Sequence, residues 1–161
     1  NELWISNGNS VWCEGRERKK RMPTLSSEKN LNEMTLVTSK NHSNKILKDL
    51  IDKIKFKNIK IMGSIGCKIS SIMRGDSDIY ISLSLPGESS PKDWDFAAPE
   101  AILKTAGGAI TNLNNEDLTY SQNNFEQAGM IIASNNNQIH EKLCIQIKEV
   151  IKKYEIYPLN N

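Results

Sequence analysis

Apolar residues keep two rhythms along this chain, and the two alternate. Residues 34–38, 59–62 and 79–83 are short runs rich in β-branched and other apolar side chains, as in buried strands. Between the first two, Ile46, Leu47, Leu50, Ile51 and Ile54 fall at the three- and four-residue spacing of a helix face, which predicts a helix over 43–54. A second helix is predicted over 65–73 and ends at Gly75, because glycine takes the left-handed conformation that closes a helix at no steric cost. A third follows Asp95, carrying Ala97, Ala98, Ala101, Ile102 and Ala106 as far as Gly107 and Gly108. Pro99 is tolerable there, since the first turn has no intrahelical N–H bond to lose. Two more strands, 109–111 and 130–133, flank an asparagine-rich loop. Ile139, Leu143, Ile147, Val150 and Ile151 mark one face of a last helix over about 138–154. At the other end, residues 3–6 and 10–13 flank Asn7-Gly8-Asn9 and read as a β-hairpin. Strands and helices in alternation predict an α/β layer architecture, with no internal repeat.

Residues 14–29 interrupt this pattern. They hold Arg16-Glu17-Arg18-Lys19-Lys20-Arg21 and then Pro23, and read as a solvated basic loop. Over all 161 residues, 21 Lys and Arg stand against 19 Asp and Glu, a net charge of +2 that gives no ground for a nucleic-acid partner. Every apolar run is shorter than the roughly 18 residues a membrane span needs, so no membrane association is expected. Cys13, Cys67 and Cys144 are widely spaced and form no CxxC pair. They read as reduced thiols of a cytoplasmic protein without zinc.

Three segments could carry chemistry, each where a strand or turn enters a helix. In the first, residues 38–45, Ser39 and His42 could donate hydrogen bonds to an anion at the helix start, while Ser43 or Asn44 could simply cap that helix. The second is Gly63-Ser64-Ile65-Gly66-Cys67-Lys68. Its glycines would let a ligand approach the backbone and Lys68 would place a charge on the first turn, or Gly66 serves close packing and Lys68 is a surface residue. The segment is neither a Walker A loop nor a dinucleotide fingerprint. The third is Trp94-Asp95. A carboxylate at a helix start can accept a free backbone N–H, hold a divalent cation beside a phosphate, or do both with its two oxygens. One aspartate holds Mg²⁺ weakly, so a metal role requires carboxylates from elsewhere. Asp76-Ser77-Asp78 imitates a metal pair but reads as a helix-to-strand turn with its carboxylates in solvent, and Glu88 as a loop residue.

Taken in order, Ser39-x-x-His42-Ser43-Asn44-Lys45, then Gly63 to Lys68, Gly75-x-x-Asp78-Ile79-Tyr80, and Trp94-Asp95-x-x-Ala98-Pro99-Glu100-x-Ile102-Leu103 closing on Ala106-Gly107-Gly108 resemble a known family. They are similar to the C-terminal half of the lithium-sensitive, Mg²⁺-dependent phosphatases of the inositol monophosphatase superfamily, best over residues 34–135. The Ser-x-x-His-Ser-Asn-Lys run resembles most the 3'(2'),5'-bisphosphate nucleotidase, or CysQ-like, branch. The resemblance implies a layered sheet-and-helix sandwich, the C-terminal part of the family's αβαβα fold. Residues 1–37 would be remnant strands and loop of an N-terminal metal-binding domain, and 38–161 the C-terminal α/β domain. It implies Asp95 as a ligand for Mg²⁺, and Ser39, His42, Gly63, Ser64 and Lys68 as the substrate side of a pocket for 3'-phosphoadenosine 5'-phosphate or a similar nucleotide bisphosphate. No catalytic residue is assigned to this chain, because the family's upstream Glu-Glu and Asp-Pro-(Ile/Leu)-Asp-Gly-Thr motifs occur nowhere in it. The expectation is a piece of a phosphatase, inactive alone, whose partner is the missing N-terminal half. The alternatives are a non-catalytic nucleotide- or phosphate-binding module and a piece of an inositol or sugar phosphate phosphatase.

Overall fold

The computed structural model describes residues 2–15, 20–24, 28–39, 44–85 and 87–157. The Asn7 side chain accepts the backbone N–H groups of Asn9 and Ser10 at 3.1 and 2.8 Å, and Gly8 takes φ +88°. That turn folds β1 (Leu3–Ser6) onto β2 (Val11–Glu14), with Ser6 opposite Val11, as the hairpin pattern predicts. A third strand, β3 (Lys20–Arg21), then pairs antiparallel with β2, Arg21 opposite Cys13. It lies where the sequence predicts only a solvated loop. The Glu2 carboxylate bonds both Arg21 and Arg74, and so draws part of the basic stretch onto the sheet. Arg16, Arg18 and Lys19 lie outside the described residues.

The second sheet has the order β5-β4-β6-β8-β7. Its strands are β4 (Thr35–Ser39), β5 (Asn58–Met62), β6 (Ile79–Ser84), β7 (Ala109–Asn112) and β8 (Gly129–Ser134). β4 runs parallel to β5 and β6, whereas β8 runs antiparallel to β6 and β7. This sheet's first strand starts three residues ahead of residue 38. Among the described residues four α-helices cover it: α1 (Lys45–Ile54), α2 (Ile65–Met73), α3 (Asp93–Thr105) and α4 (Asn137–Tyr154). Successive strand residues face opposite sides, so neighbouring positions serve two cores. Leu36, Ile79, Ile81 and Ile132 pack under α1 and α4 with Leu47, Leu50 and Ile147. Val37, Tyr80, Ile131 and Ala133 pack under α2 and α3 with Ile69, Ile72, Phe96 and Leu103, and Val11 of the small sheet joins this second core. The fold is α/β, a sheet between two helical layers. Among the described residues no helix is long and apolar enough to cross a membrane.

Caps and turns set where these elements begin. Of the two candidates at α1, Asn44 is the cap, its side chain accepting Leu47 N–H at 2.9 Å. α2 is followed by Gly75 at φ +77°, as predicted. The Asp76-Ser77-Asp78 turn differs from expectation. Asp76 is exposed and pairs with Arg74 at 2.6 Å, but Asp78 is buried. Asp78 Oδ1 accepts Lys29 Nζ at 2.7 Å, and its Oδ2 accepts Thr35 N–H at 2.8 Å. The reason is topological: β4 and β6 are parallel neighbours, and Asp78 at the foot of one ties down the foot of the other. After α3, Gly107 turns at φ +93° and Gly108 passes under β8. A Cβ on Gly108 would stand 2.6 Å from Ser134 O and 2.7 Å from Leu103 Cδ1, so no side chain fits there.

Candidate functional site

The carboxyl ends of β4 and β5 meet the starts of α2 and α3 around a cleft of about 260 Å³. Ser39 at the end of β4, Gly63 and Ser64 in the β5–α2 turn, Lys68 on α2 and Asp95 on α3 all line it. Five of the six residues singled out from sequence therefore converge, although the first and last are separated by more than 50 positions. The sixth, His42, lies outside the described residues.

The α2 side of the cleft is built to receive a polar group. Ser64 Oγ accepts Cys67 N–H at 3.2 Å and so caps the helix, while its own hydroxyl hydrogen stays available. The two glycines of this segment face open space. A Cβ at Gly63 would meet nothing within 4 Å, and one at Gly66 only Ser64 Oγ at 3.9 Å, so close packing is not the reason for Gly66. Lys68 is no surface lysine, at 1% exposure. α2 turns it inward, its Nζ donates to Gly63 O at 2.5 Å and lies 5.6 Å from the centre of the Tyr80 ring. Burial pulls its pKa below that of an ordinary lysine, against the charges of Cys67 and Asp95, which favour the ammonium. An ammonium has three N–H donors, so two remain for a ligand. Tyr80 is pushed up to about 12 by burial, with Asp95 adding to the shift and the Ser82 hydroxyl opposing it, and is a neutral hydrogen-bonding group at ordinary pH.

Asp95 is the third residue of α3 and not the residue before it, as α3 starts at Asp93. Asp95 Oδ2 reaches back to accept Lys92 N–H at 2.8 Å, satisfying a donor that the helix leaves free. The capping role is thus real, and it engages one oxygen of an exposed carboxylate. The start of α3 is itself clamped. Buried Asp93 accepts Ser121 N–H and Gln127 Nε2, each at 2.6 Å, and Lys92 pairs with Glu126 at 2.8 Å. Sequence reasoning passed over Asp93, although the Asp93-Trp94-Asp95 repeat marked it. It also passed over Tyr80, Ser82, Ser84 and Ser90, which line the cleft. For Tyr80, Ser82 and Ser84 the signal was the polar residue at every second place of β6, whereas Ser90 lies beyond that strand.

Among the described residues, no three His, Cys, Asp or Glu side chains converge to hold a metal ion. Among the described residues Asp95 is the one carboxylate lining the cleft, and one carboxylate does not fit a divalent cation by itself, so no step through a metal is derived from these residues.

His140 lies away from the cleft, 1% exposed. His140 Nε2 lies 2.8 Å from Thr111 Oγ1 and His140 Nδ1 lies 2.7 Å from Ser134 Oγ, so both ring nitrogens find hydroxyl partners inside the protein. Burial lowers this histidine from 6.5 to about 4. The unfolded chain gains a proton here as pH falls through 6.5, the folded chain only near 4. Stability from this group is therefore full above about pH 7, falls between 6.5 and 4 by on the order of 3 kcal/mol, and then levels off. His140→Gln is expected to flatten that part of the profile. Urea denaturation at pH 7.5 and 4.5 checks it, and an unchanged wild-type drop in the variant refutes it.

The profile described as the inositol monophosphatase family matches residues 1–152. The 3'(2'),5'-bisphosphate nucleotidase 1 of Rattus norvegicus is 31% identical over 119 residues, which are 73% of this chain and 36% of that protein. The IMPase of Thermotoga maritima superposes with a TM-score of 0.68 at 24% identity, over 98% of this chain and 54% of that one. A staphylococcal IMPase-II, solved with 2'AMP and with inositol monophosphate, superposes with TM-scores of 0.65 and 0.69 at 21% identity, over 96% of this chain and 57% and 55% of the two solved chains. The structural likenesses show the fold. The chain spans 36% of the rat protein and about half of the superposed structures.

Proposed function

The chain belongs to the inositol monophosphatase family, and from that premise we propose that it forms the substrate side of a Mg²⁺-dependent phosphatase acting on 3'-phosphoadenosine 5'-phosphate or a close relative. The observation that carries this reading is the meeting of a buried ammonium, an open helix start and the Asp95 carboxylate on one cleft. Lys68 offers two free N–H donors and α2 its unpaired backbone N–H groups, both suited to phosphate oxygens. Ser39, and Tyr80 in its neutral form, can donate beside them. Asp95 is this chain's contribution to a metal centre, completed by carboxylates of an N-terminal half. Mg²⁺ held there would supply charge neutralisation and a more acidic bound water. A nucleotide is preferred over an inositol or sugar phosphate on two grounds, the Ser39-x-x-His42 run and the likeness to the rat nucleotidase. Of residues 1–37, those that form the small sheet ahead of β4 then belong with the metal-binding domain, and the assembled enzyme works in the cytoplasm.

Phosphate release from 3'-phosphoadenosine 5'-phosphate tests the reading. The chain alone with Mg²⁺ is expected to release none above the blank. Adding the N-terminal half of a bisphosphate nucleotidase is expected to restore release. Turnover by the chain alone that Asp95→Ala abolishes overturns the need for a second half. A second reading, a non-catalytic binding module, is favoured by the single carboxylate that the described residues place in the cleft. It predicts calorimetric binding of the nucleotide with no turnover even after the second half is added.

A further inference from the structure

Asn7-Gly8 is the one place in the sequence where an asparagine precedes a glycine. It forms the exposed tip of the β1–β2 hairpin, and the proposed phosphatase chemistry makes no use of it. Three donors converge on Asn7 Oδ1: Asn9 N–H at 3.1 Å, Ser10 N–H at 2.8 Å and the Ser10 hydroxyl at 3.1 Å. The neighbouring backbone N–H of Gly8 donates to Ser6 Oγ at 3.1 Å. A Cβ on Gly8 would meet nothing within 4 Å, so neither a side chain of its own nor the rest of the fold crowds this residue.

We propose that Asn7 is a self-modification site, at which the Gly8 nitrogen attacks the Asn7 side-chain amide carbon and the turn stabilises the oxyanion that forms. The bond from Gly8 N to Asn7 Cγ forms as the N–H proton leaves to solvent hydroxide through the Ser6 hydroxyl. Negative charge develops on Oδ1, where the three donors already stand. Ammonia then departs with a proton from water, leaving a five-membered succinimide. Water opens that ring at either carbonyl, and the products are aspartate and isoaspartate. Asn112 is the contrast within the same chain. Its Oδ1 also accepts two backbone N–H groups, of Asn114 at 2.8 Å and Glu116 at 3.0 Å, but the next nitrogen belongs to Leu113, whose branched, buried side chain hinders attack. Isoaspartate at position 7 lengthens the main chain by a methylene, and the turn that sets Ser6 opposite Val11 is lost with it. Glu2, on the far end of β1, then gives up its ties to Arg21 and Arg74. Aspartate keeps an oxygen where the donors stand, so the hairpin survives that product.

Peptide mapping by mass spectrometry tests this on the full chain, aged at neutral pH both natively and unfolded in urea. Asn7 is expected to convert at least about threefold faster in the folded chain than in urea, while Asn112 stays an amide in the folded chain. Ser10→Ala removes one of the three donors and should slow the folded rate by about threefold, leaving the rate in urea unchanged. The effect is far below that of a buried oxyanion donor, because water partly replaces an exposed hydroxyl. Ser10→Thr keeps the hydroxyl and should keep the wild-type rate. Conversion that is slower in the folded chain than in urea shows that the turn protects Asn7, and overturns the proposal. A Ser10→Ala chain that converts at the wild-type folded rate overturns it as well. If Ser10→Ala does not fold, the folded and urea rates of the wild-type chain still decide. The isoaspartyl chain, separated from the aspartyl one by chromatography, is expected to unfold at lower urea. Equal midpoints for the two overturn the predicted loss of the hairpin.

Discussion

Asp95→Asn is expected to lower Mg²⁺-dependent phosphate release by about a thousandfold or more in the enzyme assembled from this chain and an N-terminal half. The same change should leave the fold of the chain intact. Both halves of that expectation come from the two oxygens of one carboxylate. Oδ2 accepts Lys92 N–H at 2.8 Å, and an amide oxygen can keep that bond. What the amide cannot supply is the negative charge. At the start of α3 that loss costs about 0.3–1 kcal/mol through the helix dipole. In the proposed metal centre it would remove a ligand on which charge neutralisation in the transition state depends, and electrostatic stabilisation is the largest contribution to such reactions. Asp95→Ala removes the N–H bond as well and should cost about 1 kcal/mol more in stability for the same loss of rate. Phosphate release at saturating Mg²⁺, read beside the thermal midpoint of each variant, checks the pair. An Asp95→Asn enzyme with wild-type turnover and wild-type Mg²⁺ requirement leaves Asp95 a helix-start residue and nothing more.

That Asp95 could be placed from sequence to within two residues of a helix start reflects what periodicity encodes. Helices α1 and α4 and strands β4, β6 and β8 declare themselves by spacing, because each buries one face or both against a core that demands it. Features set by long-range pairing were not legible. β3 is a two-residue strand inside a charge run, and its place depends on Glu2, 19 residues from Arg21. Asp78 is buried because β4 runs beside β6, a partnership across 43 residues that no local pattern announces. Lys68 has a surface residue's composition, but α2 turns it inward beneath the Tyr80 ring. The alternation of Tyr80, Ser82 and Ser84 was visible, yet which face of β6 meets the cleft is known only once α2 and α3 are seen to share that face.

Lys68→Met is expected to move stability and binding in opposite directions. A buried ammonium loses hydration and regains little, as the lowered pKa of Lys68 records. Among the described residues its bonding is one donated N–H to Gly63 O and the face of Tyr80. Gly63 is exposed, so water can take over the bond to its carbonyl once Lys68 is gone. Methionine fills a similar volume without a charge to desolvate, and a gain of about 0.5–2 kcal/mol is the usual size of such relief. The opposite effect falls on the ligand. Charge-assisted hydrogen bonds to phosphate contribute about 1.5–3 kcal/mol each, so affinity for inorganic phosphate and for 3'-phosphoadenosine 5'-phosphate should drop roughly 10- to 100-fold. Chemical denaturation and calorimetric titration of the same preparation read the two effects side by side. A variant that is less stable and binds phosphate as before makes Lys68 a structural tie for the β5–α2 turn, and the cleft loses its cation as a binding group. A variant that is more stable and blind to phosphate shows why a lysine is kept where burial opposes it: its charge is stabilised only when an anion completes the site.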